Sequence, residues 1–525
     1  MLFNSFEFIF GFIPLTLLGF ILLTRWRSRP LPSQPVTRTR VMIWMVAASL
    51  FFYGWWNPWN LPLIIGSIGL NYGLGLQLNN GQLSKMGRRG LLIGGIIINL
   101  ASIGYFKYAG FFLEILGSLS GRTFTGPELE LPLGISFFTF QQIAYLIDTY
   151  RQETKNYSFI QYALFVSFFP QLIAGPIVHH RDVAEQFHDR NTFKFSKTNL
   201  ETAITIFAIG LFKKVMLADA VSVYANPIFA AAETGETFGF TVAWLGALAY
   251  GMQLYFDFSA YSDMATGAAY AFGIRLPLNF DSPYKAISIT QFWQRWHITL
   301  SRFLRDYLYI PLGGNRKGEP RRYFNVLITM LLGGLWHGAG WTFIVWGGIH
   351  GLMLIINYIW RYLENKLWRS PPTSPPQTQS PLKFLQNLIG WLITFLAVQW
   401  TWIFFRAETL QGGWAIASSA LGLNGFDLPE DWPELLGTDA ITGWITVSIL
   451  LAIALLAPNI QQWLGDRRVT LTAPRPERAI AAPLNPILEK ITWSPHPLWA
   501  IICGVMAVTA ILNMTRLQEF LYFQF

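Results

Sequence analysis

Residues 384–405, FLQNLIGWLITFLAVQWTWIFF, run for 22 positions without a charge. As a helix that stretch is about 33 Å long, enough to cross a hydrocarbon layer of about 30 Å. Comparable apolar segments recur at 8–24, 41–57, 61–79, 91–106, 131–147, 203–218, 240–256, 441–457 and 499–513. Shorter ones at 109–120, 158–176 and 260–275 fit a span, a re-entrant loop or an interfacial helix. The chain of 525 residues is 52% hydrophobic and 13% charged, with mean hydropathy +0.36, which excludes a soluble protein. Lipid offers no water to backbone groups, so only helices and closed barrels cross it, and the period-two alternation of a barrel is absent. The expected fold is all-α: a polytopic transmembrane helical protein of roughly 10–12 spans, with re-entrant and interfacial helices.

Charge sets the orientation. Glu7 precedes the first segment, and Arg25, Arg27, Arg29, Arg38 and Arg40 follow it, the reverse of a secretory signal. With no small-residue cleavage site, it is expected to stay as a helix with its N-terminus outside. Lys85, Arg88 and Arg89 then lie in the cytoplasm. From Ala407 to Ala440 there are six acids (Glu408, Asp427, Glu430, Asp431, Glu434, Asp439) and no Lys or Arg. The missing bases place that stretch outside. Arg467, Arg468, Arg475 and Arg478 return the chain to the cytoplasm, and the last segment puts the C-terminus outside. This is the topology expected of a multi-pass protein of a bacterial inner membrane. The net charge of +9 sits in loops beside apolar helices, where orientation and anionic lipid headgroups account for it, so no nucleic-acid partner is expected. Cys503, the single cysteine, lies in an apolar segment and excludes an internal disulfide or a cysteine metal site.

No soluble domain is visible, and residues 1–525 are expected to form a single integral-membrane domain. Within it, residues 369–381 carry two Pro-Pro pairs and are expected to be a flexible cytoplasmic linker. Residues 459–497 are polar with proline throughout and are expected to be loop. No internal repeat is evident.

Between Gln253 and Gly351 polar residues leave the obvious loops. From Leu276 to Tyr323 aromatics alternate with bases (Phe292, Trp293, Arg295, Trp296, Arg302, Phe303, Arg305, Tyr307, Tyr309), a pattern expected of amphipathic helices on the cytoplasmic face. After Arg316, Lys317, Arg321 and Arg322 come the apolar run Phe324–Leu335, then Trp336-His337-Gly338-Ala339-Gly340, then a second apolar run ending near Arg361 and Lys366. Both ends are basic, so the chain is expected to turn back near Gly338–Gly340. Arms of at most about 15–20 residues leave His337 roughly 20 Å deep, inside the bilayer. Irregular backbone at that depth is tolerated only where it is packed in protein or lines a wet cavity.

A low-dielectric site disfavours the charged imidazole, and a neutral one can take a proton from an attacking hydroxyl, so His337 is a candidate general base for acyl transfer. It could equally cap its helix or bond a tryptophan. His350, on the return arm, could face the same chamber or fill a packed helix. His179, His180 and His188 lie near Asp182 without metal-ligand spacing, and His496 sits between prolines, so no metal is expected. Asp257, Ser259, Ser262 and Asp263 interrupt an apolar region and need partners. They could orient a histidine, bind substrate, or tie helices together in a buried network.

In several motifs the sequence resembles the membrane-bound O-acyltransferase family, in its bacterial branch of alginate O-acetylation and teichoic-acid D-alanylation membrane subunits. The motifs are Leu131-Pro132-Leu133-Gly134-Ile135-Ser136-Phe137-Phe138-Thr139-Phe140, Phe169-Pro170-Gln171 to Gly175-Pro176, residues 255–264 (YFDFSAYSDM), residues 292–301 (FWQRWHITLS), Leu335-Trp336-His337-Gly338, Phe404-Phe405-Arg406-Ala407 and Phe523-Gln524-Phe525. Ala260 stands where the family pattern leads one to expect glycine. The resemblance implies that His337 is the essential histidine and His297 a second, supporting position; Asp257, Ser259, Trp296, Arg295, Trp336 and His350 are further supporting or substrate-binding candidates. It implies a central funnel, with an acyl thioester entering from the cytoplasm and an acceptor from outside. The donor expected is acetyl-CoA, as substrate, with no other cofactor. The acceptor expected is an extracytoplasmic polysaccharide or a periplasmic acyltransferase partner. Two rivals differ in chemistry: a D-alanyl transferase fed by a carrier-protein thioester, and a transporter or flippase with the same polar chamber and no covalent step. Ala407–Ala440 could also serve as a docking surface.

Overall fold

The computed structural model describes residues 1–25, 35–124, 130–154, 157–189, 192–367, 381–426, 440–465, 467–472, 492–514 and 520–521. The linker 369–381, apart from Pro381, most of the acids of 407–440, Arg27, Arg29, Arg475, Arg478 and the terminal Phe523-Gln524-Phe525 lie outside the described residues.

The described residues are mostly helical, and their one β-type pairing is an isolated bridge between Leu276 and Thr470. A π-turn over Glu7–Phe12 leads into α1 (Ile13–Arg25), followed by α2 (Pro35–Gly54), α3 (Leu61–Asn79), α4 (Lys85–Ile103), α5 (Ala109–Ser120), α6 (Ile135–Tyr150) and α7 (Phe159–Ser167). A second group follows: α8 (Lys197–Phe212), α9 (Asp219–Glu233) and α10 (Phe240–Ala271). The short α11 (Ile289–Trp293) and α12 (Ile298–Leu304) precede the hairpin of α13 (Glu319–His337) and α14 (Trp341–Leu367). Then come α15 (Pro381–Arg406), α16 (Leu410–Ala420), α17 (Ala440–Leu456) and α18 (Pro497–Asn513).

Among the described residues five helical stretches are long and apolar enough to cross a membrane: 7–24, 58–79, 85–120, 341–364 and 381–406, with shorter apolar helices at 441–456 and 497–513. Helix α10 has 32 residues, about 48 Å by its rise. It is buried along nearly its whole length, as a helix at the centre of a bundle is, and polar side chains, Asp257 and Asp263 among them, are buried with it. Its neighbour α8 approaches closely because Gly210 lies over the Ala260 carbonyl and Gly267 over the Ala203 carbonyl. Asn71 on α3 and Asn99 on α4 exchange buried amide hydrogen bonds of 2.7 and 3.2 Å, satisfying each other away from water.

Three sequence expectations are corrected. The segment 131–147 becomes helical only at Ile135, because the chain turns before it at Gly134 (φ +72°), where a Cβ would collide with the Leu172 carbonyl. The shorter piece at 260–275 is no separate element; through Ala271 it continues α10. The return arm of the hairpin has 27 residues, longer than the 15–20 expected, and itself qualifies as a span.

Candidate active site

The hairpin turns at Gly338–Gly340, as its glycines predict, and His337 closes α13. Its two helices touch backbone to backbone. A side chain at Gly334 would collide with the Phe343 carbonyl, and one at Gly347 with the Met330 carbonyl. That contact locks the end of α13 against α14 and puts His337 among aromatic rings. The imidazole meets Trp336 at 4.9 Å, Phe405 at 5.1 Å and Trp346 at 5.3 Å between ring centroids, all edge-on. Trp336 stacks on Phe140 and meets Phe137 edge-on, fixing the neighbouring residue. A cavity of about 60 Å³ runs between His337, Trp336, Lys107 and the Leu131–Phe137 segment.

The second imidazole arrives from a different direction. His297 is fully buried, with its ring centroid 6.4 Å from that of His337. It adopts a left-handed conformation (φ +42°) just before α12, costing roughly 1–2 kcal/mol for a residue with a Cβ. Asn279 holds it there. The Asn279 carbonyl accepts from Ile298 N–H at 2.9 Å, and its Oδ1 faces His297 Nδ1 at 3.1 Å. The same Oδ1 accepts from the Thr299 hydroxyl and N–H, so it is the amide oxygen, and His297 Nδ1 is therefore the donor. In the neutral ring Nε2 then carries the lone pair. Asn279 Nδ2 in turn donates to Ser262 Oγ on α10, tying the loop to the central helix.

The remaining candidates separate from this pair. His350 lies behind Trp346, at 4.8 Å from that ring. Its Nδ1 accepts from Trp293 Nε1 at 3.3 Å, and its Nε2–H points at Thr401 Oγ1 at 2.9 Å, whose hydroxyl is already donated to the Val398 carbonyl. Arg295 is buried and bonds the Asp281 carbonyl, while Trp296 stacks on Phe292 and packs against Trp402. Around Arg295 and Trp296 the segment is packed inside the protein, whereas Arg302 on α12 and Arg305 just after it stay partly exposed. Of the bases in that pattern, Arg295 bonds inside the loop, Arg302 pairs with Asp182 and Arg305 with Asp306.

Asp257 has Lys214 Nζ at 2.8 Å from one oxygen and accepts Leu521 N–H at 3.0 Å on the other; Lys214 also holds Asp219 at 2.7 Å. Asp263 pairs with Lys213 at 2.7 Å. These carboxylates form a network between the turn 213–218 that follows α8, the start of α9, α10 and the chain near Leu521. Ser259, on α10, is buried. His180 bonds Asp148 at 3.0 Å, and His179 lies 3.1 Å from Tyr307 Oη, whose hydroxyl also donates to Asp148. Among the described residues no three His, Cys, Asp or Glu side chains are arranged around a metal position.

Two site residues were not foreseen. Lys107 Nζ donates to the carbonyls of Trp336 and His337. Its signal was a lone cation inside the run 91–120. Asn279 gave none, being a polar residue in a polar stretch.

The family model of the membrane-bound O-acyltransferase family matches residues 33–399. The chain is 43% identical over 453 residues to a peptidoglycan O-acetyltransferase of Helicobacter pylori, covering 82% of this chain and 81% of that one. It is 40% identical over 466 residues to a probable alginate O-acetylase of Pseudomonas aeruginosa, covering 87% and 81%. A teichoic acid D-alanyltransferase of Streptococcus thermophilus is 28% identical over 281 residues, covering 52% and 68%.

Proposed function

The chain belongs to the membrane-bound O-acyltransferase family and is an integral-membrane acyltransferase, and on that premise we propose that it carries acetyl groups from cytoplasmic acetyl-CoA to a hydroxyl outside. The acceptor is an extracytoplasmic polysaccharide or an intermediary periplasmic protein. His337 is the general base and His297 its support. The carrying observation is the pair of buried imidazoles, 6.4 Å apart at the closed end of a membrane hairpin and beside a cavity. In the proposed step His337 takes the hydroxyl proton as the oxygen attacks the thioester carbonyl. The C–S bond then breaks, and the imidazolium returns the proton to the leaving thiolate. Acetyl rather than D-alanyl is favoured because the relatives near 40% identity are named O-acetyltransferase and O-acetylase, whereas the D-alanyltransferase stands at 28%. The distribution of bases supports an inner-membrane orientation with both chain ends outside. One domain over residues 1–525, with a cytoplasmic connection at 369–381, completes the proposal.

The test is acetyl transfer from labelled acetyl-CoA in inside-out vesicles, comparing wild type with His337→Ala at matched membrane levels. Label on lumenal glycan or protein with wild type alone supports the reading. Transfer only from a D-alanyl carrier thioester would overturn the donor, and an active His337→Ala would overturn the base.

A further inference from the structure

Helix α13 ends abruptly, since Gly338, which makes its last i→i−4 bond, is extended (φ −155°, ψ 150°). The last four carbonyls of such a helix have no partner within it, and inside a bilayer water does not supply one. Here all four are accounted for. Gly338 N–H reaches the Gly334 carbonyl at 3.4 Å. Tyr108 Oη donates to the Leu335 carbonyl at 2.8 Å. Lys107 Nζ donates to the Trp336 carbonyl at 2.7 Å and to that of His337 at 3.0 Å. Three of the four partners thus come from two adjacent side chains, 227 to 230 positions earlier in the chain.

Consecutive residues of a regular helix do not face a common target. Lys107 and Tyr108 do, because they lie in a π-turn, Gly104–Tyr108, set between α4 and α5. π-turns inside apolar helices recur where a side chain is aimed for function. The ammonium also complements the negative end of the α13 dipole, and it lines the same cavity as His337.

We propose that Lys107 and Tyr108 are positioning residues for acyl transfer, clamping the final turn of α13 so that the His337 imidazole is held in its reacting place. The proposal rests on His337 being the base. It predicts a loss in turnover with substrate affinity preserved, because the polar atoms of both side chains are engaged by the end of α13. A displacement near 1 Å at a reacting group costs on the order of 100-fold in rate.

Turnover and KM for acetyl-CoA are measured in purified, lipid-reconstituted full-length protein for wild type, Lys107→Met, Lys107→Arg, Tyr108→Phe and His337→Ala, with thermal melts of each. Lys107→Met is expected to lose about 100-fold in kcat with KM within about twofold, Lys107→Arg to recover part of it, and Tyr108→Phe to lose about tenfold at an unchanged melt. Should Lys107→Met fail to insert, Tyr108→Phe decides, since it removes one hydroxyl and no charge. Wild-type kcat in Tyr108→Phe, or in an inserted Lys107→Met, beside an inactive His337→Ala overturns the positioning role. An active His337→Ala overturns the underlying assignment instead.

Discussion

Gly347→Ala tests whether the hairpin contact sets the chemistry. The new methyl would press on the Met330 carbonyl oxygen and lie 3.2 Å from Gly334 Cα, all backbone of α13. No rotamer change relieves that, so the helices must separate by on the order of 1 Å. Overpacking of this kind costs about 1–3 kcal/mol, and the gain in helix propensity from Gly to Ala returns up to about 1 kcal/mol. The net loss, about 0–2 kcal/mol, leaves the protein folded. The end of α13 moves with its helix, and a 1 Å misplacement of His337 is worth roughly 100-fold in turnover, about 2.7 kcal/mol of barrier. The control is the adjacent Gly348→Ala, whose methyl meets only the Leu331 side chain, at an ordinary 3.4 Å. Acetyl transfer per folded molecule should fall about 100-fold in the first variant and stay near wild type in the second. Equal turnover in the two would refute the claim that backbone contact at Gly334 and Gly347 places His337.

Other expectations follow from the hydrogen-bond pattern. Asn279→Ala removes the acceptor of His297 Nδ1–H and of two Thr299 donors; kcat should drop by at least tenfold and thermal stability by about 1–3 kcal/mol, read from melts and initial rates. Asp257→Asn strips one of two counter-charges from buried Lys214, leaving Asp219, so it should lower detergent stability by about 1–3 kcal/mol while turnover per folded molecule is kept. Burial, and secondarily the Arg302 guanidinium, hold the His179 imidazole down to about 4, against an unfolded value near 6.5. Its folded value is the lower one, so its contribution to stability is complete above about pH 6.5 and is lost as pH falls toward 4. Melting temperatures between pH 7.5 and 5 should therefore fall more steeply for wild type than for His179→Gln.

Where lipid or a glycine turn dictates local structure, the sequence was legible. Residues 61–79 form α3 to the residue, and the hairpin turns at the predicted glycines. Apolar length and a Gly-x-Gly turn are local properties, fixed by the surrounding hydrocarbon. In the segment 276–323 bases and rings alternate as they would at an interface, a pattern that by itself does not single out the residues packed inside the protein. Only tertiary contacts reveal that Arg295 bonds the Asp281 carbonyl and Trp296 packs on Trp402. His297 came from the family resemblance alone, since nothing local distinguishes a loop histidine that lies over a distant helix end. For Asp257 the sequence allows a histidine partner, substrate binding or a structural network, and its ion pair with Lys214, forty-three positions away, is visible only in the fold.

The bonds from Lys107 to the end of α13 also bear on how the protein is made. Lys107 enters the membrane on a helix synthesised about 230 residues before the carbonyls it binds. Until then, that segment holds an ammonium in hydrocarbon at a cost of about 2.5–3.5 kcal/mol on insertion scales. The run of 36 residues from Lys85 to Ser120 is apolar enough to carry that burden, but it inserts less firmly than its length implies. Arrival of the hairpin removes the cost, so completion of the site and final seating of an early helix are one event in biogenesis.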